Sequence, residues 1–254
     1  MRGKGRLMEP TTMGEPVRAE QGPSAGAREA AAPAIGRLRA AAALFTLLGR
    51  IFHGVPDREL LAALADERAF DEVPFAEGDA AEEALGLLRA WNDGCATPFS
   101  EGDYRNLSTD YTALFVGGKR VAAPVWESVY FNKDRMVFQH ETFEVRAMYA
   151  RWGLAVDALG HEPDDHLAYE LLFLGHVLGQ AADAAEAGDG AREARALADA
   201  VSFAVCHPLT WVGTWRTRVE RAGAGDFYRG YAALVEAALR QVEEEFSPAV
   251  ALAA

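Results

Sequence analysis

Cysteine is nearly absent from this 254-residue chain: two thiols, Cys95 and Cys206, stand far apart with no second cysteine near either. That excludes a CxxC metal knuckle and a disulfide framework, and it fits a reducing cytoplasm. Strand signals are almost as scarce. Only "VYFNKDRMVF", residues 129–138, sets β-branched and aromatic residues on both sides of a polar, turn-like centre, so a short hairpin is expected there and helix elsewhere. Nowhere are there roughly 18 uninterrupted apolar residues, and no apolar stretch follows the basic residues of the N-terminus. Neither a membrane span nor a signal peptide is expected. No repeat of fixed period is visible, which argues against a solenoid. Positive charge is also short: 38 acidic residues against 25 basic ones leave a net charge of −13. Such a body repels phosphate backbones and attracts cationic peptides, which argues against nucleic acid and for a basic ligand.

What the chain does have is apolar content, 50% of its residues, enough for a sizeable core. Residues 1–33 are rich in Gly, Pro, Ala and charge without apolar periodicity and read as a disordered tail; 34–252 read as one all-α domain. From Ile35 the positions Leu38, Ala42, Phe45, Leu48 and Phe52 recur at the spacing of one helical face. A second helix starts near Pro56, with Asp57 and Glu59 at its positive end. Further helices are expected at about 79–92, 101–115, 141–152, 163–186, 191–205, 209–222 and 226–246, most joined through Gly or Pro. The longest irregular stretch, 116–140, is longer than a helical bundle needs between helices and is a first place to look for function.

A second such place is "HEPDDHLAYELLFLGHVL", residues 161–178, where three histidines and four acidic residues interrupt an apolar run. A zincin helix needs two histidines one turn apart, whereas His161 and His166 lie roughly 140° apart on a helix. His166 and Glu170, at i and i+4, supply a pair of ligands, fewer than a catalytic zinc site requires. A metal-dependent hydrolase centred on His161, His166 and Glu170 remains the alternative. Read structurally, Pro163 opens a helix, Asp164 and Asp165 complement its dipole, and "LAYELLFLGHVL" is a buried central helix in which His176 is a hydrogen-bonded core residue. Helix initiation accounts for the aspartates but not for the gathering of His161, Glu162 and His166.

"EPDDH", residues 162–166, resembles the E-P-x-D-H signature of the TorD/DmsD family, cytoplasmic chaperones for the maturation of molybdenum-cofactor oxidoreductases. In order along the chain, "PDRELLAAL" (56–64), "DYTALFVG" (110–117), "APVWESVY" (123–130), "ETFEVRAMYARWGL" (141–154), "CHPLTWVGTW" (206–215) and "FYRGYAALV" (227–235) extend the resemblance over about 35–246. It implies an all-α bundle of about nine to ten helices in two subregions, with a hinge near 155–163. It also implies a non-enzymatic protein without a cofactor of its own. Its partners would be the twin-arginine leader, and the body, of an apo molybdopterin oxidoreductase, with a nitrate reductase-type assembly chaperone of the same fold as the near alternative. Guanine nucleotide binding, described for some members, receives no support from a GxxxxGK[ST] loop. The N-terminal tail and Val125, where a proline or an aromatic is common, depart from the family pattern.

A leader with a basic pair and an apolar segment calls for carboxylates beside an apolar groove. "APVWESVY" supplies that mixture through Trp126, Glu127, Ser128 and Tyr130; Trp126 and Tyr130 share a face if this stretch is helical, or are core aromatics. Glu162, Pro163, Asp165 and His166 carry over from the signature. Asp165 and His166 are the expected functional pair, placed between leader contact and hinge architecture. On that reading their alanine variants weaken leader binding without loss of thermal stability, and binding falls below about pH 6 as His166 protonates. A hinge between halves admits a monomer or a domain-swapped dimer.

Overall fold

A computed structural model describes residues 25–117, 121–156 and 162–253. Ten α-helices follow one another among these residues, with no strand beyond one isolated bridge. The all-α expectation holds. Helix α1 (Ala25–Phe52) begins ahead of the apolar periodicity and runs through Pro33, so the last part of the expected tail is helical; the rest of that tail lies outside the described residues. Asp57 caps α2 (Arg58–Asp66), accepting from the amides of Glu59 and Leu60, which leaves Pro56 before the cap rather than in the first turn. Helix α3 (Asp79–Gly94) follows. Then α4 (Glu101–Tyr111), opened by a Ser100/Asp103 capping box, runs on as π-helix over Thr112–Val116.

The hairpin expected at 129–138 is not formed. Its first residues make the single turn α5 (Ser128–Phe131). Asn132 then closes the chain on itself: its Nδ2 donates to the carbonyls of Ser128 and Met136, and its Oδ1 accepts from the Met136 amide. A side chain that satisfies local backbone groups removes the need for a strand partner. Helices α6 (His140–Arg151), α7 (Leu167–Ala187), α8 (Gly190–Cys206), α9 (Pro208–Arg221) and α10 (Asp226–Ala253) complete the chain.

Helix α7 is the axis of the molecule, buried on nearly all sides as its sequence indicates. It packs against α1 and α8, and α10 closes over α3, α8 and α9. Helices α1 and α7 approach closely because neither has a side chain at the crossing. A Cβ on Gly49 would lie 2.6 Å from Leu172 Cγ and 2.9 Å from the Ala168 carbonyl oxygen; one on Gly175 would lie 2.7 Å from Thr46 Oγ1. By length and composition the segment Ala31–Phe52 is apolar enough to cross a membrane, but here Leu44, Phe45, Leu48, Ile51 and Phe52 are taken up by the core. The buried side chains form one continuous cluster from Leu38 to Phe246. Of the segment expected as a hinge, residues 157–161 lie outside the described residues.

Candidate functional site

The E-P-x-D-H stretch meets the 123–130 segment at a joint made by backbone and side chains together. The Glu127 amide donates to the Asp165 carbonyl (3.0 Å) and the Leu167 amide to the Val125 carbonyl (2.8 Å), an antiparallel bridge that pairs Trp126 with His166. Glu162, Asp165 and His166 each then have an internal partner. Trp126 Nε1 donates to Glu162 Oε1 at 2.7 Å. The two Asp165 oxygens accept from the Ser128 amide (2.7 Å) and the Thr142 hydroxyl (2.8 Å), tying α5 and α6 to the start of α7. Asp164 takes Arg146 through Nη2 at 2.7 Å and Nε at 3.1 Å. His166 is the N-cap of α7, its Nδ1 accepting from the Ala168 amide at 3.1 Å.

Pro163 is therefore not the first helical residue, and Asp164 and Asp165 do not sit in a first turn facing the helix dipole. The helix starts at Leu167 because the imidazole, four positions later than expected, supplies the cap. Asp165 is fully buried and His166 almost so, so this pair does not face an open groove. Burial drives the His166 pKa down to about 3, with the charge of His53 adding to the shift. His166 is neutral at pH 6, and a loss of binding below about pH 6 does not come from this residue.

Beneath the joint lies a second layer of buried acids. Glu127 pairs with His207, which stands between α8 and α9, at 3.1 Å. Both oxygens of Glu170 are buried, near the Glu127 carboxylate and the Trp211 indole. Burial first, then the charges of Glu127 and Asp165, pushes the Glu170 pKa well above the usual carboxylate range, which favours the neutral acid. Ser128 Oγ and Asp164 Oδ1 are buried without a hydrogen-bond partner among the described residues.

Trp126 and Tyr130 do not share a face, because the chain is extended at Trp126 and turns helical only at Ser128. Trp126 meets the His166 ring edge to face at 5.7 Å, whereas Tyr130 lies 5.0 Å from the Trp211 ring and donates its hydroxyl to the Pro124 carbonyl at 2.7 Å. Of the sequence-selected set, Trp126, Glu162 and Tyr130 are half-buried; Glu127, Ser128, Pro163, Asp165 and His166 are buried. Thr142, Arg146, Tyr149 and His207 complete the joint without having been selected. Their partners lie from 15 to 80 residues away, so no local spacing signals them.

A row of rings leads outward from the joint: Trp126 to His166, His166 to Tyr169 (5.5 Å) and Tyr169 to His53 (5.4 Å). It ends in an apolar cavity of about 520 Å³ lined by His53, Tyr149, Tyr169, Leu172, Phe173 and His176. A neighbouring hollow of about 340 Å³ shares His53 and Leu172 and adds Arg50 and Asp57. His176 is thus a half-buried rim residue beside Trp152, not a fully enclosed one, and burial holds its pKa below the usual value. For the metal reading, His161 lies outside the described residues, His166 Nδ1 is engaged as the cap, and no group of three potential ligands gathers among the described residues.

Fold and site together define an all-α protein with a sealed polar joint beside an apolar groove. Residues 77–217 match the family described as nitrate reductase delta subunit. The chaperone protein TorD of Vibrio cholerae serotype O1 (strain ATCC 39315 / El Tor Inaba N16961) is 28% identical over 190 residues, 75% of this chain and 79% of that protein. TorD of Ferrimonas balearica is 36% identical over 81 residues, 32% of this chain and 38% of that protein. The probable Tat proofreading chaperone DmsD of Haemophilus influenzae is 23% identical over 141 residues, 56% of this chain and 62% of that protein. The chain belongs to this family, the TorD/DmsD chaperones, whose named relatives are chaperones and not enzymes.

Proposed function

We propose that this protein is a cytoplasmic maturation chaperone that holds the twin-arginine leader, and the body, of a molybdenum-cofactor oxidoreductase until folding and cofactor insertion precede export. The apolar groove beside the signature joint carries the reading. A leader offers an apolar segment next to a basic pair; the groove suits the first, and a chain of net charge −13 attracts the second. In this reading Trp126 and Glu162, the half-exposed members of the joint, meet the leader. Glu127, Ser128, Pro163, Asp165 and His166 act through position, holding the helices that wall the groove. The names of the relatives, TorD and Tat proofreading chaperone DmsD, support the same class of client.

Calorimetric titration with a synthetic leader bearing two adjacent arginines and an apolar segment tests this. Binding in the micromolar range or tighter is expected, weakened about tenfold by His176→Arg, which sets a cation on the groove rim, at unchanged melting temperature. A parent protein that ignores the leader removes the reading; equal binding by the variant moves the site elsewhere. The family description favours a second reading, in which the client is a nitrate reductase-type enzyme, and co-purification of the client separates the two.

A further inference from the structure

Many of the described arginines of this acidic protein are paired with carboxylates, among them Arg37, Arg39, Arg68, Arg146, Arg151 and Arg216. Arg50, Arg105, Arg192, Arg195 and Arg221 make no ion pair among the described residues, and a further set of unpaired cations adjoins an exposed apolar loop. Lys133, Arg135 and Arg218 make no ion pair among the described residues; Arg135 and Arg218 lie near Tyr130, and Lys133 belongs to the same loop as Arg135. Arg218 lies over the Tyr130 ring at 5.1 Å, and Arg135 is close enough that its charge acts on the same phenol. Glu127 is sealed against His207 and Glu220 is bonded to Arg216, so Asp134 is the acid left in the loop to offset three cations. Beside them Phe131 and Met136 are more than half exposed, at 52% and 54%.

The loop is built to present these groups. Asn132 clamps it from Ser128 to Met136. Arg135 is held at φ 53°, a left-handed conformation that glycine would adopt without steric cost, and Phe138 follows at φ 59°. The loop's cations exclude the basic leader as occupant, so the role of this surface is independent of the leader reading.

We infer that the surface formed by Tyr130, Phe131, Lys133, Arg135, Met136 and Arg218 docks an acidic, apolar-studded segment of a partner protein. Charge complementarity selects that occupant. Screening limits the attraction and repulsion of exposed charges to about 8 Å at physiological salt, so a short acidic segment meets the local cations. A broad anionic membrane would instead face much of a body with net charge −13.

Fluorescence anisotropy on the full chain tests this, using a labelled synthetic peptide of alternating Glu and Leu and its Lys-for-Glu counterpart. The acidic peptide is expected to bind with strong salt dependence and the basic peptide to show no dependence on this surface. Arg135→Glu combined with Arg218→Glu lowers acidic-peptide affinity about tenfold or more, and Phe131→Ser lowers it at unchanged charge. Circular dichroism confirms that both variants, altered outside the core, stay folded. The inference is overturned if the acidic peptide does not bind, or if charge reversal leaves its binding unchanged. It is equally overturned if phosphatidylglycerol vesicles bind in its place with the same dependence on Arg135 and Arg218. Leader titration of the charge-reversed protein is expected to match the parent, which keeps the two sites separable.

Discussion

Asp165 shows how a signature residue can matter without touching a ligand. Its two oxygens satisfy two buried donors on different helices, the Ser128 amide and the Thr142 hydroxyl. Asp165→Ala leaves both unsatisfied, at about 1–3 kcal/mol each, so urea unfolding is expected to show a loss of about 2–6 kcal/mol. That replaces the expectation of unchanged stability. Glu170 behaves oppositely. Its folded pKa lies above its ordinary 4.5, so the stability it contributes is complete below about pH 4.5 and is lost as pH rises toward the folded value. Glu170→Gln removes the ionisable group while keeping its shape. Its unfolding free energy is expected to exceed that of the parent by a margin that widens between pH 5 and pH 8, measured by denaturant titration across that range. An equal margin at both ends would show that Glu170 is ionised in the fold. The sequence shows these acids as types but not as a cluster, because Glu127 and His207 are 80 residues apart and only packing joins them.

At the scale of elements, the close crossing of α1 and α7 sets the groove wall. Gly49→Ala would press a methyl group against the Ala168 carbonyl, and although alanine favours helix by about 1 kcal/mol, a net destabilisation of about 1–2 kcal/mol is expected. Gly86, in α3, has open space around its Cβ position, so Gly86→Ala is the matched control and is expected to raise thermal stability. Helix positions are largely legible in the sequence, since 3.6-residue periodicity and caps such as Ser100 with Asp103 are local signals. The misplaced start of α7 and the absent hairpin share a cause. In both, a polar side chain, His166 or Asn132, satisfies the backbone and overrides what proline placement or β-propensity suggests.

For the whole molecule, net charge and fold class come directly from composition and pattern, whereas the single continuous core does not, because chain order says little about which helices share an interior. The acidity has a kinetic consequence. Raising salt from about 0.05 to 0.5 M is expected to slow leader association roughly tenfold in stopped-flow fluorescence while changing dissociation little. A salt-independent association rate would mean that apolar contact alone guides the encounter.

The antiparallel bridge between 125–127 and 165–167 is a single rung, and it closes the stretch of chain that carries α5, the basic loop and α6. Its two amides, of Glu127 and Leu167, are therefore natural reporters in hydrogen–deuterium exchange. If they exchange in step with the amides of α7, the clasp opens only when the protein unfolds. If both exchange faster than α7 and at a common rate, the enclosed stretch swings free as one cooperative unit, with a lifetime of its own.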